Sequence, residues 1–211
     1  LTRLMLYFYL HLKLLVDLRN KAILQDVINE LKLDKKVIII TERKEHIDSI
    51  YQYLKQSYEV ITLSGEDSES SKKSKWKLLK EGNYQVVITT GQFFGEGTDL
   101  QNANCLFLAY PFSFEGKLIQ YIGRVQRSEI TPTIYDYRDI KIDYLNKMFL
   151  KRNVYYRKID KQATLFDEPE EEIIVSKNTF ILDKKVKIPF ELLEFRYGSI
   201  AFKYEVSEMK T

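Results

Sequence analysis

The chain has 211 residues, of which 45% are hydrophobic and 30% are charged, and its formal net charge is +3 at pH 7. This composition excludes an intrinsically disordered chain, and so mild a charge means that any nucleic-acid binding must come from local clusters of cations. The single cysteine excludes an intramolecular disulfide, and the two histidines, His11 and His46, are too far apart in sequence to favour a zinc site. We expect one sizeable domain with a tail, or two small domains, in a cytoplasmic protein.

The first twenty residues, LTRLMLYFYLHLKLLVDLRN, are the one segment whose apolar content approaches that of a membrane helix. Arg3, His11 and Lys13 interrupt it, which makes insertion into a bilayer costly, and no signal-peptide cleavage pattern is present. We therefore expect an amphipathic helical lead-in over residues 1–35 and no membrane partner. Because the chain does not begin with Met, we also expect a fragment or a processed product.

From residue 36 to 138, short apolar runs alternate with helical patterns. Five runs rich in β-branched or aromatic residues predict strands at 36–40, 58–63, 84–90, 104–110 and 131–137. Apolar residues on one face predict helices at 44–56, 70–82 and 113–127, the second of which begins at serines and ends at Gly82. This alternation predicts an α/β fold, with a parallel sheet covered by helices on both faces.

The amino-acid composition of the chain changes after a long helix that we expect to end near Ile159. Residues 161–171 are acidic, contain Pro169 and predict a linker. Residues 172–211 contain short β-like runs and predict a small appendage with β structure. The expected organisation is a lead-in at 1–35, a main lobe at 36–160, the linker, and this appendage.

Ligands of such a sheet gather at the carboxyl ends of its strands, so the loops after the strands are the candidate sites. In GEGTDL, Gly97 lies where the backbone must approach a neighbour closely or take a positive φ, and Asp99 follows it. On the residues alone, a tight turn capped by an aspartate is as good an interpretation as a binding loop. Before it, Thr89 and Thr90 place hydroxyls and amides where phosphates could bind.

The chain lacks the parts that would let it hydrolyse a nucleoside triphosphate alone. No G-x-x-x-x-G-K-[ST] phosphate loop occurs, since EGKL at 115–118 has neither the upstream glycine nor the following hydroxyl. Asp136 could hold magnesium at a strand end, although a plain turn or cap is the simpler interpretation. Any such activity therefore needs a separate domain.

The stretch QYIGRVQR, residues 120–127, places three polar residues on one helical face. Gln120, Arg124 and Arg127 fall at i, i+4 and i+7, while the apolar residues Leu118, Ile122 and Val125 point elsewhere, into the sheet. A solvated charged face is the alternative interpretation.

Together, these patterns resemble a known family. A GxGxD loop about 25 residues before QxxGRxxR resembles motifs V and VI of the second RecA-like lobe of superfamily 2 helicases. VIIITERKEHIDSIYQYL resembles motif IV, and VITLSG the strand and loop that follow it. TGQFFGEGTDL and LFLAYPFSFEGKLIQYIGRVQR look like one bacterial DEAD/DEAH-box-type group, and the resemblance covers roughly residues 19 to 159. Gln126 and the QFF insert depart from the commoner pattern and leave the loop's path open.

The resemblance implies a role for each matching residue. Arg127 would be the arginine finger that reaches the γ-phosphate of ATP, Arg124 a second phosphate contact and Gln120 a cleft-facing partner. Gly97 and Asp99 would approach the ribose. Contacts to the nucleic-acid backbone are implied for Thr41, Arg43, Gly65, Thr89 and Thr90.

The resemblance also implies the partners and the overall activity. ATP and Mg²⁺ would be held mainly by a first RecA-like lobe, without which this lobe would be inactive as an ATPase. The nucleic acid that the resemblance favours is DNA over RNA. The expected function is the C-terminal motor lobe of an ATP-dependent helicase or translocase. The alternative is a non-catalytic module that binds nucleic acid or protein.

Two further stretches suggest binding surfaces, one for a nucleic-acid strand and one for a protein partner. MFLKRNVYYRK, residues 148–158, mixes cations with Tyr155 and Tyr156, which is typical of a strand-binding surface and equally of a basic helix end. QATLF resembles the short peptide that binds bacterial sliding clamps, with Gln162, Leu165 and Phe166 as the contact residues. Docking of the linker on the domain is the other interpretation of that peptide.

Overall fold

The computed structural model describes residues 3–95, 100, 103–125, 132–164, 179–183, 186–189 and 199–205. Its helices are α1 (Arg3–Leu31), α2 (Lys44–Leu54), α3 (Glu69–Lys80), α4 (Gly91–Gly95), α5 (Glu115–Val125) and α6 (Asp143–Thr164). Its strands are β1 (Val37–Thr41), β2 (Val60–Leu63), β3 (Val86–Thr90), β4 (Cys105–Leu108), β5 (Thr133–Asp139), β6 (Thr179–Asp183), β7 (Val186–Pro189) and β8 (Ser199–Glu205). The five strands predicted for the main lobe are all present.

Five parallel strands form the centre of the fold, in the order β2-β3-β1-β4-β5. The predicted α/β architecture is therefore confirmed. Thr41 lies opposite Thr90, and Leu63 lies opposite Thr89, so β1, β2 and β3 end at the same edge of the sheet. This edge holds the loops in which the sequence predicts the functional residues.

The last strand, β8, extends this sheet and pairs antiparallel with β5. The other two strands of the predicted appendage, β6 and β7, pair antiparallel with each other in a separate two-stranded sheet. The appendage thus contains the expected β structure, and one of its strands belongs to the sheet of the main lobe.

Both faces of the sheet are covered, as the continuously apolar strands predict. Side chains alternate along β1, and Val37 and Ile39 face a core completed by α1 and α2, whereas Ile38 and Ile40 face a core that includes residues of α5 and α6. All four side chains are fully buried. A strand buried on both faces has no position for a polar side chain, which explains the VIII run.

The ends of α3 follow from their local residues. The Ser68 hydroxyl accepts a hydrogen bond from the Ser71 N–H at 3.3 Å and caps the first turn. At the other end Gly82 takes a φ of 71°, its N–H bonds the Leu79 carbonyl, and the Asn83 N–H bonds the Leu78 carbonyl. This pair of bonds is a Schellman motif, which confirms Gly82 as the predicted stop.

The lead-in is a single helix over most of its length. Ile23, Val27 and Leu31 recur every four residues along the end of α1 and are buried against the sheet. Within the residues that the structure describes, no helix combines the length and the apolar character needed to cross a bilayer.

Candidate functional site

Three of the predicted nucleic-acid contacts meet at the carboxyl edge of the sheet. Arg43 follows β1, Gly65 follows β2 and Thr90 ends β3, and these three strands are neighbours. Arg43 and Gly65 are exposed and Thr90 is half-buried. A Cβ added to Gly65 would meet no atom within 4 Å, so the glycine leaves an open surface above the strand end. A cation, a hydroxyl and accessible backbone are groups that bind phosphates.

The side chains of Thr41 and Thr89 are buried, in contrast to the other three. Thr41 is 1% exposed and its Oγ1 lies 2.8 Å from Nδ1 of His46, while Thr89 is 0% exposed and its hydroxyl donates to the Thr90 carbonyl at 3.4 Å. Neither side chain is exposed at the surface in this conformation, which argues against the side-chain contacts implied for these two threonines. The contacts implied for Arg43 and Thr90 stay predictions.

Helix α5 has the two faces that its sequence predicts. Leu118, Ile122 and Val125 are fully buried. Gln120 is exposed and Arg124, one turn later, is half-buried in the last turn, where its charge also complements the helix dipole. Arg127, Gly97 and Asp99 lie outside the described residues, so the roles implied for these three stay predictions.

Beneath α5 lies a polar contact that the sequence analysis missed. The hydroxyls of Tyr110 and Tyr121 are 2.9 Å apart, although the two residues are 7% and 1% exposed. Both hydroxyls lie against Gly91, where an added Cβ would come within 2.2 Å of the Tyr121 oxygen and 2.6 Å of the Tyr110 oxygen. Only glycine fits at that position. The available signal was a tyrosine at two core positions, since a buried tyrosine hydroxyl usually has a hydrogen-bond partner.

The charge of Glu42 faces this tyrosine pair. Burial raises the pKa of Tyr110, and the hydrogen bond to Tyr121 and the Glu42 carboxylate raise it further. Burial also raises the pKa of Tyr121. Lys117 of α5 lies with its Nζ 3.6 Å from Oε1 of Glu42. Both tyrosines therefore keep their protons at neutral pH and bond as neutral hydroxyls.

Asp136 is not a magnesium ligand in this fold. It is 0% exposed, and its two carboxylate oxygens accept hydrogen bonds from Nη2 and Nε of Arg152 at 2.7 and 2.8 Å. The Tyr156 hydroxyl donates to the same carboxylate at 3.2 Å. A carboxylate that is fully buried and paired with an arginine in this way is not accessible to a metal ion. Among the described residues, moreover, no group of three or more His, Cys, Asp or Glu side chains could hold a metal ion.

The same contacts correct the strand-binding surface suggested for residues 148–158. Arg152, Tyr155 and Tyr156 are only 1%, 7% and 4% exposed, so they pack in the core and offer no stacking platform. Lys151 and Arg157 are exposed on the outside of α6. Gln162 lies in the same helix, and Leu165 and Phe166 lie outside the described residues, so clamp binding stays a prediction.

Comparisons with known proteins agree on the class of the domain. The family model described as helicase conserved C-terminal domain matches residues 19–129. Transcript termination protein A18 of fowlpox virus (strain NVSL) is 24% identical over 151 residues, which cover 69% of this chain and 32% of that protein. The chain therefore spans about a third of the length of this curated relative.

Two solved structures share the fold. T4 UvsW is 22% identical with a TM-score of 0.51, and the match covers 72% of this chain and 35% of that one. The C-terminal domain of S. cerevisiae Dbp5 is 19% identical, also with a TM-score of 0.51, and the match covers 66% of this chain and 81% of that domain. At these identities the likeness shows the architecture alone.

Proposed function

Since this chain belongs to the helicase conserved C-terminal domain family, we propose that it is the C-terminal motor lobe of an ATP-dependent superfamily 2 helicase or translocase. The observation that carries the proposal is the placement of α5. Its polar face presents Gln120 and Arg124, while its apolar face is buried. Arg43 and Gly65 follow β1 and β2, and Thr90 ends β3, all at one edge of the sheet.

The residues of the proposed site have two roles. Arg124 and Arg127 supply positive charge to the phosphates of ATP bound on a first lobe, and Arg127 acts as the arginine finger. Gln120 faces the same cleft. Arg43, Thr90 and the open backbone at Gly65 hold the phosphates of a nucleic-acid strand, which we propose to be DNA because of the family resemblance in the sequence.

Within the described part of the chain, the polar side chains of the proposed site suit phosphates and do not suit magnesium. Arginine and an amide side chain bind anionic oxygens, whereas Asp136, the strand-end carboxylate considered for the metal, is held by Arg152. We assign Mg²⁺ and the phosphate loop to the first lobe and derive no step through the metal here. Closure of the two lobes then brings Arg124 and Arg127 into the cleft, and reopening moves the lobe along the strand. This lobe alone is expected to have no ATPase activity.

The test is nucleic-acid-stimulated ATPase of a protein that contains both lobes. Arg127→Ala is expected to lower the turnover about a thousandfold or more while ATP binding is retained, because charge that stabilises the transition state is lost. Lys77→Ala is a matched control, since it removes one positive charge from an exposed ion pair with Glu81 on α3.

Near-normal turnover of Arg127→Ala would contradict the proposal. Retained nucleic-acid binding with no ATPase in the two-lobe wild type would favour a non-catalytic binding module instead.

A further inference from the structure

The tyrosine pair, Tyr110 and Tyr121, lies where the two halves of the proposed site meet. Tyr121 is the residue after Gln120 on α5 and is three residues before Arg124. Tyr110 follows β4, and the glycine against which both hydroxyls lie, Gly91, directly follows Thr90. The pair therefore joins the helix assigned to phosphates of ATP with the strand end assigned to nucleic acid.

A second link runs from α5 to the loop after β1. Glu42 is the residue before Arg43, and its carboxylate lies 3.6 Å from Nζ of Lys117, one helical turn before Tyr121. The same carboxylate acts on Tyr110, where its charge and hydrogen bonding add to the effect of burial in raising the pKa. Glu42 thus connects the loop that carries Arg43 to α5 through Lys117, close to the tyrosine pair.

The aromatic residues packed around the pair restrict the distance and orientation of its two hydroxyls. Tyr121 packs against the rings of Phe94 and Phe112, with centroids 5.7 and 5.8 Å away, and Tyr110 packs on Phe112 at 5.1 Å. In such an apolar setting, a hydroxyl that loses its hydrogen-bond partner costs free energy. The hydrogen bond itself weakens when the distance between the two oxygens grows by a few tenths of an ångström. Apolar contacts alone tolerate such a shift. The pair therefore sets the position of α5 relative to Gly91 more sharply than packing does.

We propose that Tyr121 and Tyr110 are positioning residues that couple the nucleic-acid side of this lobe to the ATP side. Binding of a strand at Arg43 and Thr90 moves the loop that carries Glu42 and the strand end at Gly91. The tyrosine pair transmits that movement to α5 and so to Arg124. This inference rests on the proposed function, and it adds the route by which nucleic acid stimulates hydrolysis.

The test removes one hydroxyl and keeps the ring. In the two-lobe protein, Tyr121→Phe is expected to lower the ratio of nucleic-acid-stimulated to basal ATPase by about 2- to 10-fold, the range of one lost hydrogen bond. Nucleic-acid affinity, measured without ATP, is expected to stay at the wild-type value. Tyr110→Phe should give the same result and serves as the second variant.

Tyr84→Phe and Tyr155→Phe are matched controls. Both tyrosines are buried in the same core, and within the described part of the chain their hydroxyls have no hydrogen-bond partner. Loss of either hydroxyl should leave the stimulation ratio unchanged. Thermal unfolding of all four variants separates a loss of coupling from a loss of folded protein.

Gly91→Ala approaches the pair from the opposite side, because its Cβ would collide with both hydroxyls. Gly91→Ala should lower the ratio of stimulated to basal ATPase. In the double variant with Tyr121→Phe, the fall in this ratio should be smaller than the product of the two single falls. A stimulation ratio for Tyr121→Phe and Tyr110→Phe equal to that of the Tyr84→Phe control would overturn this inference alone. A wild-type protein without nucleic-acid-stimulated ATPase would overturn the proposed function and this inference with it.

Discussion

His46 illustrates at the residue scale how burial fixes a protonation state. His46 lies in the first turn of α2, and its Nδ1 is 2.8 Å from the hydroxyl of Thr41, the last residue of β1. Burial, and to a lesser extent the positive charge of Arg19, lower the pKa of His46 to about 4. The imidazole is therefore neutral at pH 7. The neutral ring forms a hydrogen bond with the Thr41 hydroxyl. The Thr41 side chain is therefore directed into the protein and is not available at the surface.

This pKa predicts how stability depends on pH. Between pH 6.5 and about 4 the unfolded chain binds a proton at His46 that the folded chain does not, so the free energy of unfolding falls as the pH is lowered through that window. The loss from this residue is up to about 3 kcal/mol. Urea unfolding of the wild type and of His46→Gln at pH 7, 6, 5 and 4.5 measures it. Parallel pH curves for the two proteins would contradict the assignment.

At the scale of elements, one buried ion pair holds α6 against the sheet and against the segment that leads into α5. Arg152 of α6 binds Asp136 of β5 with two hydrogen bonds and donates a third to the carbonyl of Phe112. Its guanidinium lies over the ring of Phe112 at 4.7 Å and over that of Phe149 at 5.6 Å. Planar stacking and a two-pronged bond are properties of arginine that lysine lacks.

We expect Arg152→Met to lower the free energy of unfolding by about 3–5 kcal/mol, because it leaves the buried Asp136 carboxylate without its compensating charge. Adding Asp136→Leu should recover much of that loss, since the uncompensated charge is then gone. Lys77→Met, which breaks the exposed Lys77–Glu81 pair, is the control and should change stability by less than about 1 kcal/mol. Denaturant unfolding compares all three. If Arg152→Met cost no more than the control, the pair would have no stabilising role.

At the scale of the whole molecule, β8 closes one side of the main sheet. It pairs with β5 along its whole length, from Thr133 opposite Glu205 to Asp139 opposite Ser199. A strand from the tail thus covers hydrogen-bonding groups that would otherwise form an open sheet edge. Open edges of this kind pair with other chains and promote association.

A chain that ends at residue 178 is therefore expected to be less stable and to self-associate, because the edge of β5 is exposed. A chain that ends at residue 206 keeps β8 and serves as the control. Light scattering after size-exclusion chromatography measures association, and denaturant unfolding measures stability. A monomeric shorter chain as stable as the control would show that β8 contributes nothing to the sheet.

Local sequence patterns were sufficient to predict the strands and most helices of the main lobe. Runs rich in β-branched or aromatic residues predicted every strand of the parallel sheet, and several of these runs are continuously apolar because a strand covered on both faces has few positions for polar side chains. The i, i+4 spacing of Gln120 and Arg124 predicted the two faces of α5, and Gly82 predicted the end of α3, whereas the helix begins at Glu69 with Ser68 as its cap, just before the predicted start. Each of these features depends on residues within a few positions of one another, so periodicity and local hydrogen bonding are sufficient to predict them.

The tertiary structure alone decided which polar groups meet. Arg152 looked like a surface cation because most arginines are exposed, and only the fold shows that it lies on Asp136, 16 residues earlier in the chain. The contact between Tyr110, Tyr121 and Gly91 joins two strand ends and a helix, and the pairing of β8 with β5 joins residues at least 60 positions apart in sequence. Such partners are set by the packing of distant elements, because a buried polar group must find whichever partner the fold brings within hydrogen-bonding distance.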